Sequence, residues 1–251
     1  MEIKSKKDIE VLEKRIIDEL GIDLKRYQNE EVAQKFLEII DFQNYVIKWT
    51  IRPLLISLII FIVGFFILDL GVLGYLFYGI VGLILFFLSG FIAGLLFLIK
   101  KIKWDVQDII DYSFEIMETA LNDLGKIDKE KTKNVLDLLF KGVIHIIAFP
   151  TVAKIISEEV PIIDKIINNI IYKILTSISN KVKFNNDNLS EETDKKVSSS
   201  KSTDRYLSSI SFAKSGLEKI ITLIFSIVKF PFKIWLGIIL TILVVFLFLI
   251  N

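Results

Sequence analysis

Residues 70–99 of the chain, LGVLGYLFYGIVGLILFFLSGFIAGLLFLI, form thirty consecutive residues without a charged side chain. Residues 54–68, which lie just before them, are almost as apolar. About 20 apolar residues are enough for a helix to cross the hydrocarbon core of a bilayer, which is roughly 30 Å thick. A soluble amphipathic helix needs only one apolar stripe, so a run of this length predicts an integral membrane protein.

Asp69 separates the two apolar blocks and decides how they cross the membrane. Gly71 and Gly74 follow it, and glycines permit the backbone reversal of a tight turn. A carboxylate inside hydrocarbon costs roughly 2.5–3.5 kcal/mol on insertion scales, whereas a full double crossing leaves Asp69 in water. The sequence therefore predicts a transmembrane hairpin over residues 51–99, with the second span at about 75–99. The short first span, 54–68, would borrow neighbouring residues from 51–70. A further span is predicted at 234–250, within a C-terminal transmembrane segment 234–251.

The rest of the chain has the periodicity of amphipathic helices. A helix is predicted over residues 6–20, ended by Gly21, and another opens at the N-cap Asn29. Residues 1–50 are thus assigned to amphipathic helices, 100–184 to a helical domain and 205–233 to one more amphipathic helix. Breaks are expected at Pro150, Pro161 and Pro231. Residues 185–204, rich in Ser, Asn, Lys and acids, are predicted to be a disordered linker because they bury too little apolar surface.

The cations beside the predicted spans indicate the orientation. They all lie on one side in a three-span topology, and the short turn at Asp69 carries none. These cations are Lys48, Arg52, Lys100, Lys101, Lys103, Lys229 and Lys233. Because cytoplasmic flanks are enriched in Lys and Arg, we expect a cell-membrane protein whose N-terminus and residues 100–233 are cytoplasmic.

Residues 143–156 leave an alternative open. The segment is nearly apolar but contains Pro150 and Lys154. Its length is typical of a buried core helix or an interfacial segment, and less typical of a fourth crossing that would return the C-terminus to the cytoplasm.

Composition argues against several chemistries. The chain has no cysteine and one histidine, His145, so thiolate and histidine-cluster metal sites are excluded. A formal net charge of +1 provides no basic field for nucleic acid.

We interpret His145 as a hydrogen-bonded core residue. The acidic face formed by Asp105, Asp108, Asp111, Glu115 and Glu118 is interpreted as the solvated side of an amphipathic helix. The sequence predicts no catalytic residue, metal or cofactor.

Two features point to helix association. Gly79, Gly82, Gly90 and Gly94 offer small surfaces in the second span, either to the first span of the same chain, which we favour, or to another copy. Residues 162–175 contain paired apolar residues with a period of four, which drifts around a helix. We favour a core helix here, and the alternative is an oligomer contact through Ile166 and Ile170.

Together these features predict an all-α integral membrane protein with a cytoplasmic helical domain. We expect a non-enzymatic, multi-pass protein that acts as a scaffold or membrane organiser through helix association. The alternative is a subunit of an oligomeric channel or transport complex. A lipid-phosphate enzyme using the acidic face is a third, weaker reading, since Mg²⁺ prefers carboxylate oxygens. The expected partners are the lipid bilayer and, through the association surfaces, further copies of the chain.

Overall fold

The structure is a computed structural model that describes residues 2–3, 5–40, 48–49, 51–124, 135–159, 164–182, 184 and 200–250. Every regular element in these ranges is helical, which confirms the all-α prediction. The helices are α1 Lys6–Leu20, α2 Glu30–Ile39, α3 Arg52–Ile67, α4 Val72–Phe77, α5 Leu83–Asp123, α6 Val135–Gly142, α7 Phe149–Glu159, α8 Asp164–Lys181 and α9 Ser200–Ile250. A 3₁₀ turn spans Leu24–Tyr27, and π-helical segments span Tyr78–Gly82 and Val143–Ala148.

The chain divides into two compact units. Unit 1 contains Met1–Ile40 and Asp105–Ile221, and unit 2 contains Asp41–Trp104 and Thr222–Asn251. Helices α5 and α9 contribute residues to both units.

α1 begins and ends where the sequence predicts, and α2 begins there. The apolar pattern predicts that α2 continues toward Trp49, but the helix ends at Ile39 because Ile40 has non-helical backbone angles. A capping box opens α1, in which the Ser5 N–H donates to Asp8 Oδ2 (2.7 Å) and the Asp8 N–H donates to Ser5 Oγ (3.4 Å). Gly21 ends this helix at φ 69°, a left-handed conformation that suits glycine. The N–H of Val32 donates to Asn29 Oδ1 (2.9 Å), which confirms Asn29 as the N-cap of α2.

Residues 135–159 form the centre of unit 1. Every residue from Val143 to Ala148 is buried, and Phe140 stacks on Phe114 at 4.8 Å between ring centroids. Gly142 permits close approach, since a Cβ there would clash with the ends of Ile16 and Leu24. The segment is long and apolar enough to cross a membrane, yet 83% of its most apolar window is buried within the protein. Of the alternatives for residues 143–156, this burial supports the core helix.

The expected helix breaks at Pro150 and Pro231 are wrong. A proline inside a regular α-helix removes one hydrogen bond and clashes with the carbonyl four residues earlier. Pro150 directly follows the π-helical segment, where the i→i−4 pattern is already interrupted, and the helix continues through it. Pro231 lies inside α9, and no break separates residues 99 and 104 within α5. Residues 100–104 contain neither Gly nor Pro, so nothing local ends α5 there.

Two further boundaries differ from the sequence predictions. Two predictions lie partly or wholly outside the described residues. α9 begins at Ser200, so the last five residues of the predicted linker 185–204 are helical, whereas 185–199 are not described. α3 ends at Ile67, and its 16 residues correspond to about 24 Å, less than a typical hydrocarbon core. The expected break at Pro161 likewise lies outside the described residues.

Aromatic rings and backbone hydrogen bonds hold unit 2 together. Phe61 of α3 stacks on Tyr78 at 5.1 Å, and the Tyr78 hydroxyl donates to the Phe61 carbonyl (2.8 Å). The hydroxyl of Ser57 donates to the Phe86 carbonyl of α5 (2.7 Å), and Ser89 donates to the same oxygen (2.9 Å). The hydroxyls of Ser57 and Tyr78 thus reach main-chain carbonyls on the facing helix, whereas Ser89 bonds a carbonyl of its own helix.

Gly64 is the position on which this contact depends, because a Cβ there would overlap the Tyr78 hydroxyl. We expect Gly64→Ala to lower the free energy of unfolding by about 2 kcal/mol, the usual cost of overpacking. Thermal unfolding in mild detergent, followed by circular dichroism, measures the change. Gly71→Ala is the matched control, since nothing lies within 4 Å of a Cβ at that position. Adding Tyr78→Phe to Gly64→Ala should recover part of the loss, and a Gly64→Ala variant as stable as the control would contradict this packing.

Candidate functional site

One end of unit 2 gathers cations from two helices. Burial lowers the pKa of the Lys229 ammonium, and the positive charges of Lys103, Lys100 and Lys233 lower it further. The cations that follow the second predicted span therefore lie close to those that precede the third.

The flank of α3 reaches the same end through aromatic contacts. The Trp49 ring lies 6.2 Å from that of Trp104 and 6.4 Å from that of Phe97. Lys100 places its ammonium 4.8 Å from the centre of the Trp104 ring, within range of a cation–π interaction. Lys48 and Arg52, next to Trp49 in the chain, thus belong to this end of unit 2 as well.

The opposite end of unit 2 is formed by the turn at Asp69 and the last residues of α9. Asp69 is exposed, whereas Leu70 is buried in a cluster with Tyr78, Phe86 and Leu243. A Cβ on Gly74 would lie 3.5 Å from the Ile250 carbonyl oxygen. The Tyr75 hydroxyl donates to the Leu68 carbonyl (2.8 Å), which caps a free carbonyl after α3.

Between these two ends the surface of unit 2 is apolar. Phe66 is 85% exposed and Phe248 83% exposed. Other exposed apolar side chains on this unit include Ile59, Ile62, Val72, Leu73, Ile80, Ile84, Trp235, Val244 and Leu249. An apolar surface of this extent indicates contact with a membrane or another protein. Three helical stretches of the described chain are long and apolar enough to cross a membrane, namely residues 72–123, 135–158 and 209–250. The second of these is the buried centre of unit 1, and the shorter α3 is also apolar.

The predicted packing glycines lie mostly against other helices of the same chain. A Cβ on Gly90 would lie 2.7 Å from the Ser57 Cβ and 2.9 Å from the Leu54 Cα, both in α3. On Gly82 it would lie 3.3 Å from the Phe61 ring, and on Gly79 it would lie 3.7 Å from the Phe65 ring. Gly94 is buried. The sequence did not single out Gly64, whose role becomes visible only once Tyr78 is placed opposite it.

The two predicted oligomer-contact residues are not equally described. Ile170 of α8 is 47% exposed, whereas the side chain of Ile166 lies outside the described part of the structure. Ile171 and Leu175, in the same four-residue repeat, are buried. The drifting apolar stripe is therefore partly core and partly surface.

The acidic face of α5 borders a cleft of about 510 Å³ shared with α9. Asp108, Asp111 and Glu115 are exposed, and Lys214 of α9 lies 3.9 Å from Glu118. Burial raises the pKa of Asp111, an effect that Lys214 opposes. Within the described residues no group of three or more His, Asp or Glu side chains could hold a metal ion. Asp105, predicted on this solvated face, is instead buried at 3% exposure, so the prediction is wrong for this residue. The exposed acids of the face begin at Asp108.

His145 lies in the core of unit 1 and is 1% exposed. Its Nε2 lies 2.9 Å from Ser179 Oγ, and that hydroxyl donates to the Thr176 carbonyl (3.1 Å). Because the serine proton is used there, Nε2 must carry the imidazole proton and donate to Ser179. The Nδ1 atom has no partner among the described residues. Burial therefore lowers the pKa of His145 to about 4, and the charge of Lys141 adds to the effect. Sequence reasoning predicted a hydrogen-bonded core histidine but could not name Ser179, 34 residues away.

No family model, curated protein or solved structure matches the chain. The function must therefore be argued from the geometry above.

Acidification should destabilise unit 1 through His145. The folded pKa of about 4 lies below the ordinary histidine pKa of 6.5, so the neutral form stabilises the fold above pH 6.5 and this contribution is lost as the pH falls toward 4. At 1.36 kcal/mol per pKa unit, the loss amounts to about 3 kcal/mol. His145→Gln keeps an amide near Ser179 without the titration, so its stability should fall less over this range. Because the chain has one histidine, the imidazole NMR signals of an untagged sample report its pKa directly. A measured pKa near 6.5 would contradict the buried neutral ring.

Proposed function

We propose that the chain is a non-enzymatic, multi-pass protein of the cell membrane that holds unit 1 at the cytoplasmic face as a scaffold. In this proposal α3, the α4–α5 stretch to residue 99, and residues 234–250 of α9 are the three spans. The observation that carries it is the polarity of unit 2, where cations from all three flanks gather at one end and Asp69 lies at the other. An uncharged, exposed apolar surface separates the two ends.

The charge distribution supports the orientation. Lys and Arg beside spans favour the cytoplasmic side, so the end with Lys48, Arg52, Lys100 and Lys233 is assigned to the cytoplasm. Asp69 then lies in water on the outer side, at no cost in desolvation. Residues 105–221 follow the cationic end in sequence and are assigned to the cytoplasm with it.

The hydrogen bonds of the spans favour anchoring over transport. Transport paths need polar or ionisable groups that face the permeating species. The hydroxyls of Ser57, Tyr75, Tyr78 and Ser89 all donate to main-chain carbonyls of the same chain. Thr241 does the same toward the Gly237 carbonyl (2.9 Å).

Association between copies is proposed to use unit 1. Gly90 is already occupied by α3 of the same chain, so the spans offer less free small surface than the sequence suggests. Ile170 remains exposed on α8 and supplies an apolar contact outside the membrane.

Cysteine labelling tests the topology in a chain that contains no cysteine of its own. Asp69→Cys in intact cells should react with a membrane-impermeant thiol reagent, and Lys101→Cys should react only after the membrane is permeabilised. Both positions lie outside the proposed spans, so the substitutions remove no apolar surface. The reverse pattern would invert the orientation, and labelling of both without permeabilisation would reject the three-span topology.

Light scattering in mild detergent tests the scaffold mechanism. The wild type should be an oligomer, and Ile170→Lys should shift it toward the monomer because an unpaired charge is costly in an apolar contact. Val11→Lys is the matched control, since Val11 of α1 is also an exposed apolar residue of unit 1. A monomeric wild type would reject self-association. Ion conductance by the wild-type oligomer in planar bilayers would favour the channel over the scaffold.

A further inference from the structure

A groove on unit 2 runs between α3, α5 and α9 and has a volume of about 440 Å³. This size lies within the range of small-molecule sites, roughly 300–1,000 Å³. Lys48, Trp49 and Arg52 line one end of it, and Gly90, Ala93 and Leu240 line the remainder.

The charged end of the groove is suited to an anion. Lys48 and Arg52 are both exposed, and the described residues that line the groove include no carboxylate. Among the described residues, neither side chain forms an ion pair. Two cations four residues apart can approach the same phosphate, and the guanidinium of Arg52 can donate two parallel hydrogen bonds to it.

The rest of the groove is suited to a hydrocarbon chain. Gly90 and Ala93 have little or no side chain, so the α5 side of the groove leaves space for a ligand. Leu236 and Leu240, one turn apart on α9, form the opposite side. Ser57 and Ser89 also line it, but both hydroxyls already donate to the Phe86 carbonyl. A ligand therefore meets apolar surface here and does not leave a polar group without a partner.

The order of these residues along the groove matches the depth profile of a lipid leaflet. Trp49, which contacts the Phe97 ring, is a residue type found at the headgroup level. From Arg52 the groove wall on α3 continues to Ile60, eight residues or about 12 Å further along the helix. A phosphate at Arg52 would thus place an acyl chain beside Ile56 and Ile60.

We propose that this groove binds an anionic phospholipid, with its phosphate between Lys48 and Arg52 and one acyl chain against Ile56, Ala93 and Leu240. The assignment rests on the membrane location proposed above. An anionic headgroup is favoured over a zwitterionic one because a headgroup ammonium would be repelled by the two cations.

Native mass spectrometry tests the site with full-length protein in micelles that contain equal amounts of phosphatidylglycerol and phosphatidylcholine. The wild type should retain one phosphatidylglycerol with about tenfold preference over phosphatidylcholine. Lys48→Gln with Arg52→Gln should reduce the preference to about one. Lys103→Gln with Lys233→Gln removes the same charge from the same end of unit 2, outside the groove, and should leave the preference intact.

A second pair of variants tests the acyl portion. Ala93→Leu fills the groove and should abolish retention of the lipid, whereas Gly237→Leu adds a side chain into open space and should not. Equal retention of both lipids by the wild type would overturn the proposal. An equal loss of lipid preference in the two double variants, Lys48→Gln/Arg52→Gln and Lys103→Gln/Lys233→Gln, would also overturn it, as would full lipid retention by Ala93→Leu. Wild-type protein that enters lipid nanodiscs yet shows no preference rejects only this site. Protein that stays soluble without detergent and does not enter nanodiscs rejects the membrane location itself.

Discussion

The cost of placing charge in hydrocarbon is the constraint on which the rest of this structure depends. Residues 53–68, 70–99 and 234–250 contain no charged side chain, and the cations and Asp69 are confined to their ends. On the proposed topology this confinement sets the number of crossings, their direction and the side of the membrane on which unit 1 lies. The exposed apolar surface of unit 2 fits the same proposed topology, because lipid, unlike water, does not drive such side chains inward.

Within unit 2 the helices must therefore be held by packing and hydrogen bonds. Gly64 and Gly90 bring α3 close to its neighbours, and the hydroxyls of Ser57 and Tyr78 then reach carbonyls on the facing helix. The close packing and the hydrogen bond depend on each other, because a side chain at position 64 would occupy the space of the Tyr78 hydroxyl. The same small side chains that permit contact at Gly90 leave the adjoining groove open beside Ala93.

Unit 1 is held together by apolar side chains that are buried between its helices. The segment from Val135 to Glu159 is apolar enough for a membrane, but α1, α2 and α8 surround it. A polar pair is buried there as well, since His145 donates to Ser179 and remains neutral. The π-helical segments Tyr78–Gly82 and Val143–Ala148 each contain a buried polar ring, Tyr78 in one and His145 in the other. Such segments shift the helical register by one residue and so change where following side chains point.

The sequence by itself determined the helical class, the apolar segments and the two N-terminal helix caps, because these depend on local composition and spacing. Ser5, Gly21 and Asn29 act within one turn of their own position, so short-range rules were sufficient. The tertiary structure alone decided which apolar segment is surrounded by protein. Residues 143–156 and the spans look alike in hydropathy, and only the presence of neighbouring helices distinguishes a core from a membrane-facing surface. The tertiary structure also decided that Pro150 and Pro231 lie within continuous helices. It placed Gly64 against Tyr78, and it placed Lys48 and Arg52 beside a groove with Ala93. These contacts join residues that are distant in sequence.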